Sequence, residues 1–191
     1  MKFAVVDLEC TSLKADQGFL LCGGIKPIGG EKRIITYKET GFGRSRKDID
    51  KHLAVAIRDE MEKYDGWITW NGLMFDIPYL DDRLLLTGGQ RPHRPTFHCD
   101  LMWYYRQGKS TFTSSRLDWV ASQLGVPFQK TKLDIGLWKQ AEAEAIVEAL
   151  TKFRTGRQAY NYIVEHNDAD LDVTDAVFEI TKPRIRQLVR R

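Results

Sequence analysis

The chain has 191 residues, 42% of them hydrophobic, and a formal charge of +3 at pH 7. This length and hydrophobic content are enough for one well-buried core but short for two domains, so we expect a single domain over 1–191. Such a small charge does not by itself indicate a polyanionic partner, and three cysteines without CxxC spacing favour neither a zinc site nor a disulfide framework. No apolar run is long enough for a membrane span or a signal peptide, so we expect a cytoplasmic protein with reduced thiols and no membrane partner.

The first third of the chain predicts a three-stranded antiparallel meander. Apolar segments separated by glycine and proline indicate strands over 2–9, 18–26 and 31–37. The pairs Gly23-Gly24 and Gly29-Gly30 are expected at its bends.

The rest of the chain predicts alternating helices and strands. A helix capped by Asp48 carries apolar residues at helical spacing until Asp65-Gly66 interrupts the pattern. We expect strands over 67–70 and 96–99, and helices over 78–86, 116–124, 137–154 and 157–181. Pro183 should end or kink the last helix. This order predicts an α/β fold whose mixed central sheet is flanked by helices.

Two acidic residues close the first apolar strand. Side chains alternate along a strand, so Asp7 and Glu9 share one face and Leu8 lies on the other. Two neighbouring carboxylates that are partly buried take up protons or bind a cation, because an unpaired buried charge is costly. A hard divalent ion is a natural partner. The alternative is a strand end where both acids are hydrated.

Asp76 is a second acidic position, at a junction between a strand and a helix. Apolar Phe75 and Ile77 flank it, and Pro78 fits the first turn of a helix. The alternative role for Asp76 is that of a helix N-cap.

Asp170 is the third acidic position, selected from four acids by helical phase. It shares a helix face with His166 and apolar residues, whereas Asp168, Asp172 and Asp175 cluster on the opposite face and are expected to be solvated. An inward carboxylate one turn from His166 needs that histidine or a metal as its partner. A purely structural His-Asp pair is the alternative.

The ordered set of motifs resembles the DEDD superfamily of 3′–5′ exonucleases, which have a ribonuclease H-like fold. The set comprises Asp7-x-Glu9 extended by Thr11-Ser12-Leu13, Asn71 through Phe75-Asp76, and His166-x-x-x-Asp170. The second motif is most similar to the proofreading domains of family-B polymerases and their free-standing relatives. In the third motif, His166 stands where one branch of the superfamily has tyrosine.

The resemblance implies a metal-dependent 3′–5′ exonuclease that releases nucleoside 5′-monophosphates from single-stranded or frayed DNA. It implies two divalent cations, Mg²⁺ or Mn²⁺, bound by Asp7, Glu9, Asp76 and Asp170. His166 would position or deprotonate the attacking water, with Tyr162 as a weaker candidate for that role.

Several residues are expected to contact a single-stranded or 3′-ended nucleic acid. The resemblance implies that Thr11, Leu13, Asn71 and Phe75 lie beside the terminal nucleotide. Aromatic and basic residues also alternate near the predicted site, as in proteins that stack bases, at Trp103, Tyr104, Tyr105, Arg106, Lys109 and Arg116. Two basic clusters stand out in the charge distribution, at 44–47 and at the C-terminal end, and most such runs are solvated surface. Two alternatives stay open: an exoribonuclease or structure-specific nuclease on the same fold, and a catalytically inert nucleic-acid-binding module.

Overall fold

A computed structural model of the protein describes residues 1–107, 110–127, 135–151 and 155–189, with side chains described up to residue 185. Within these ranges the strands are β1 (Phe3–Cys10), β2 (Leu20–Pro27), β3 (Arg33–Thr36), β4 (Gly66–Thr69) and β5 (Phe97–Asp100). The helices are α1 (Tyr37–Thr40), α2 (Lys51–Met61), α3 (Asp76–Leu86), α4 (Leu101–Arg106), α5 (Leu117–Gln123), α6 (Ile135–Thr151) and α7 (Gln158–Val189).

The strands form one mixed sheet in the order β3-β2-β1-β4-β5. The first three strands are antiparallel neighbours, and β4 and β5 run parallel to β1. The carboxyl ends of β1, β3, β4 and β5 therefore lie on the same edge of the sheet. This arrangement confirms the predicted α/β class with its antiparallel start and parallel continuation.

Helices cover both faces of the sheet because β1 is apolar on both sides. Ala4, Val6 and Leu8 belong to one buried cluster, which extends to α2 and α3. Val5 belongs to a second cluster with residues of α4, α5 and α7. Because side chains alternate along a strand, Asp7 and Glu9 share the face of Val5 and lie on the side that α7 covers.

Close contact between β2 and α7 depends on one glycine. A Cβ atom at Gly24 would lie 2.3 Å from Asn167 Oδ1 and 2.6 Å from Leu171 Cδ1. Gly23 and Gly24 therefore lie inside β2, and the expectation that they mark a bend is wrong.

Two helix boundaries also differ from the prediction. Asp48 does not cap α2; it closes a 3-10 turn by accepting hydrogen bonds from Ser45, and α2 starts three residues later. Pro183 does not end α7, which continues to Val189. The short helices α1 and α4 were not predicted. The cysteines Cys10, Cys22 and Cys99 are free thiols.

None of the helices in the described part of the chain is both long and apolar enough to cross a membrane.

Candidate active site

Asp7 and Glu9 extend toward α7 from the carboxyl half of β1. Asp7 pairs with Gly24 of β2 and Glu9 with Cys22, and both acids are half-buried. The hypothesis that they are simply hydrated at a strand end is therefore wrong.

Asp76 reaches β1 from the first turn of α3. Its side chain is 4% exposed, and its Oδ1 accepts a hydrogen bond of 3.0 Å from the backbone N–H of Leu8, between the two acids. Phe75, not Asp76, occupies the N-cap position, and no side chain caps the helix there. The N-cap interpretation of Asp76 is accordingly wrong.

The helix α7 supplies three side chains to the same place. His166 Nε2 lies 3.7 Å from Asp170 Oδ2 and 4.0 Å from Glu9 Oε1. The fully buried Asn167 donates a hydrogen bond of 2.7 Å from Nδ2 to Asp7 Oδ2. The third motif thus contacts both acids of the first motif.

Trp138 of α6 closes the other side of Glu9. Its indole N–H donates a 3.2 Å hydrogen bond to Glu9 Oε2, and its ring stands edge-on to the His166 ring with centroids 5.4 Å apart. Glu9 therefore has the indole on one oxygen and the imidazole near the other.

The four acids repel one another electrostatically. Burial raises the pKa of Asp7 well above its ordinary value, and the charges of Asp76, Glu9 and Asp170 raise it further, against the hydrogen bond from Asn167. Burial followed by the charge of Asp170 raises the pKa of Glu9, while the Trp138 hydrogen bond lowers it.

The remaining two carboxyl groups show the same direction. Burial raises the pKa of Asp76 to about 7, although the Leu8 backbone N–H opposes this rise. Burial also raises the pKa of Asp170; the nearby His166 lowers it and the charge of Asp118 raises it again. Buried carboxyl groups whose pKa values are raised in this way cluster at functional sites.

The donor set fits a hard divalent cation in its chemistry. All four acids offer oxygen ligands, which Mg²⁺ and Mn²⁺ prefer, and a cation would offset their mutual repulsion. Among the described residues, however, no group of three acidic, histidine or cysteine side chains already forms a set that could hold one metal ion. The carboxylates are gathered on one surface without yet converging on a common point.

A left-handed turn held by Asp100 connects β4 to α3. Asn71 has a φ of 71°, a conformation that asparagine tolerates better than most residues. The buried Asp100 carboxylate accepts hydrogen bonds from the backbone N–H groups of Asn71, Leu73 and Trp103, at 3.0, 2.9 and 3.1 Å. This turn sets the start of α3 and with it the position of Asp76.

The residues expected at the terminal nucleotide lie beside the acids but differ in role. The Thr11 hydroxyl accepts a hydrogen bond from Phe19 N–H and so holds its own loop. Leu13 is 80% exposed and lines a groove of about 350 Å³ together with Phe75 and Met74. Phe75 also packs against Tyr79, so its ring serves both the core and the groove.

The aromatic and basic residues after β5 are divided between core and surface, and both arginines, Arg106 and Arg116, are exposed. Tyr105 is buried and stacks with Trp70 and Phe112, whereas Trp103 is 41% exposed. Lys109 and the final two arginines lie outside the described residues.

The acids on the far face of α7 are not simply solvated. Lys32 contacts Asp168 and Asp172, each at 2.6 Å, and Lys26 contacts Asp172 at 2.9 Å and Asp175 at 2.7 Å. The expectation of hydrated carboxylates is corrected: these ion pairs fasten α7 to β2 and the turn that follows it.

Sequence reasoning missed two residues that hold the acids of the site: Trp138 and Asn167. Asn167 follows His166 directly and lies on the buried stripe of α7, so helical phase could have identified it. Trp138 comes from a separate helix, and nothing in the spacing along the chain indicates its contact with Glu9.

Comparisons with known proteins agree with this architecture. The model of the RNase H superfamily matches residues 4–181. No curated protein matches the chain. Among solved structures, the chain is similar to the family B DNA polymerase from the hyperthermophilic archaeon Pyrobaculum calidifontis, with a TM-score of 0.57 and 13% sequence identity. The similarity covers 92% of this chain and 27% of the polymerase.

At that identity the polymerase supports the fold alone, and the match spans about a quarter of its length. The family match covers nearly the whole chain and includes all four acids. Membership of this superfamily supports a nuclease that acts on nucleic acid, and nucleases of this kind generally use divalent metals. The chain belongs to the RNase H superfamily.

Proposed function

We propose that the protein is a metal-dependent 3′–5′ exonuclease that hydrolyses single-stranded or frayed DNA and releases nucleoside 5′-monophosphates. The observation that carries the proposal is the meeting of Asp7, Glu9, Asp76 and Asp170, which come from one strand and two helices. The charges of Asp76, Glu9 and Asp170 raise the pKa of Asp7. The charges of Asp170 and Asp76 raise the pKa of Glu9.

The four carboxylates would hold two divalent cations, Mg²⁺ or Mn²⁺. Asp7 would contact both ions, Glu9 and Asp170 would hold the one beside the attacking water, and Asp76 would support the other. When bound, such ions stabilise the charge that develops on the attacking and leaving oxygens of a phosphodiester.

His166 is well situated to orient the water. Its Nε2 lies between Glu9 and Asp170, and the edge-on contact with Trp138 restricts the ring. A neutral imidazole in this place can accept a proton from water. Tyr162 lies one turn earlier and packs against the core cluster, which favours His166.

The substrate end would lie in the groove between Leu13 and Phe75. This groove is mostly apolar and includes Phe75, the residue before Asp76, so it can accept the base of a terminal nucleotide. Asn71 and Thr11 would contribute mainly by shaping the loops on either side.

The test is cleavage of 5′-labelled DNA and RNA strands of identical sequence with Mg²⁺, with Mn²⁺ or with chelator. We expect a metal-dependent ladder that shortens from the 3′ end, and no ladder from Asp7→Ala, whose thermal unfolding should show a retained fold. A preference for the RNA strand would favour the exoribonuclease instead. Binding without cleavage of either strand would favour the inert module.

The third motif has a matched control on its own helix. Asp170→Asn should reduce cleavage strongly, whereas Asp172→Asn should reduce it little, since the latter loses only surface ion pairs with Lys26 and Lys32. Likewise, His166→Ala should slow cleavage more than Tyr162→Phe. Equal activity of Asp170→Asn and the wild type would contradict the assignment of Asp170.

A further inference from the structure

An exposed basic turn lies at the same edge of the sheet as the four acids. Arg44, Arg46 and Lys47 follow α1 and are all exposed. The strand before them, β3, is antiparallel to β2, as is β1, so β3 and β1 end at the same edge. The basic turn is therefore on the active-site side of the fold.

Contacts with α6 bring this turn close to Glu9. Arg46 forms an ion pair of 3.0 Å with Glu142. Glu142 is one helical turn from Trp138, on the same face of α6, and Trp138 donates to Glu9. Two side-chain contacts and one helical turn thus separate Arg46 from a proposed metal ligand.

A groove of about 530 Å³ is lined by Arg46, Lys47 and Phe19. Asp16 and Leu86 line both this groove and the one beside Leu13. The two grooves therefore adjoin at these residues, and together they extend along α3 from Phe75 to the basic turn.

The floor of the second groove is fixed by the buried Arg83. Its guanidinium bonds to both Asp50 carboxylate oxygens, at 2.8 and 2.6 Å, and to the backbone oxygens of Ala15 and Lys47, at 2.8 and 2.9 Å. One side chain therefore ties together α3, the loop after β1 and the basic turn. Its own charge is neutralised by Asp50, which leaves Arg46 and Lys47 as the groove's exposed cations.

We propose that this second groove, here called the basic groove, binds the phosphate backbone of single-stranded nucleic acid that extends away from the candidate active site. This inference rests on the proposed function, whose substrate it extends beyond the terminal nucleotide. The ion pair of Arg46 with Glu142 lies at the surface, where such pairs are weak, so a phosphate can replace Glu142. Asp16 on the wall of the groove opposes an anion, but the exposed cations Arg46 and Lys47 outnumber it.

The expected size of the effect follows from counterion release. Each phosphate contact with a single strand contributes about 0.7 to the slope of log K against log salt, so two contacts contribute about 1.4. At about 0.1 M salt this corresponds to roughly 25-fold in affinity.

The experiment measures binding of fluorescein-labelled oligothymidylates by anisotropy in chelator, where no cleavage interferes. The variant is Arg46→Ala/Lys47→Ala. Its matched control is Lys2→Ala/Lys63→Ala, which removes two exposed cations near the amino ends of β1 and β4, at the opposite edge of the sheet. Thermal unfolding of both variants verifies that they are folded.

We expect the groove variant to bind a strand of about twelve nucleotides roughly 25-fold more weakly, with the salt slope reduced by about 1.4, while the control equals the wild type. A strand of about four nucleotides should show little difference, since it fills only the first groove. Equal losses in both variants, no loss in the groove variant, or no binding by the wild type would each overturn the basic groove. A loss seen with duplex but not with single-stranded DNA would also overturn the assignment to a single strand.

Failure of the two proposals can be told apart. If the groove variant loses binding but the wild type cleaves nothing with Mg²⁺ or Mn²⁺, the nuclease proposal falls and the basic groove stands. If the wild type cleaves the short strand and both variants bind the long strand as tightly as the wild type does, the basic groove falls and the nuclease proposal stands.

Discussion

Replacing Trp138 with phenylalanine tests how the site holds Glu9. The change removes the indole N–H that donates to Glu9 Oε2 at 3.2 Å and keeps an aromatic ring beside His166. A hydrogen bond to a charged group contributes about 1.5–3 kcal/mol. Because 3.2 Å is at the long end of the usual N–H···O range, we take the lower value, which corresponds to about tenfold in rate.

The assay is cleavage of a 3′-ended strand with kcat and KM measured separately, together with a titration of Mn²⁺ binding. We expect kcat to fall about tenfold, KM to change little and Mn²⁺ to bind more weakly, because Glu9 is a proposed metal ligand that loses its anchor. The matched control is Trp119→Phe, the same substitution at a position that is 42% exposed. Unchanged kcat and Mn²⁺ affinity in Trp138→Phe would refute the anchoring role of the indole.

Three further predictions concern the scaffold, and urea or thermal unfolding measures each. Asp50→Ala should cost about 3–5 kcal/mol because it leaves the Arg83 charge buried and unpaired, and the double variant Asp50→Ala/Arg83→Met should cost less than the sum of the two single changes. Asp100→Ala should lower stability by about 3 kcal/mol and slow cleavage, since it deprives three backbone N–H groups of their acceptor, while Asp100→Asn should retain part of both. Gly24→Ala should cost about 1–3 kcal/mol because its Cβ would lie 2.3 Å from an oxygen of α7, whereas Gly156→Ala, with no atom within 4 Å, should be nearly neutral.

The sequence predicted most of the sheet because its strands are short, apolar and separated by turn residues. It was wrong where two rules competed. Gly23 and Gly24 read as a bend on local grounds, but their lack of side chains serves close packing against Ile57 on one side and α7 on the other. Pro183 was expected to end or kink the last helix, and it does not end it, because α7 continues past it.

The acids of the site were predictable because strand and helix periodicity determines which side chains share a face. Asp7 and Glu9 on β1, and Asp170 on α7, follow from that rule alone. The anchors of the acids were not predictable, since contacts of Glu9 with Trp138 and of Leu8 with Asp76 join residues far apart in the chain. Such contacts depend on how the helices pack against the sheet.

The acidic residues on the two faces of α7 have different kinds of partner. On the outer face, Lys26 and Lys32 neutralise the acids in ion pairs. On the inner side, three of the four site acids accept hydrogen bonds from neutral donors: Asn167 for Asp7, the indole for Glu9 and a backbone N–H for Asp76. The fourth acid, Asp170, lies beside His166. Neutral donors fix the direction of a carboxylate without cancelling its charge, which the raised pKa values reflect. An oriented and uncompensated set of carboxylates is what a site must keep if its cations are to arrive from solution.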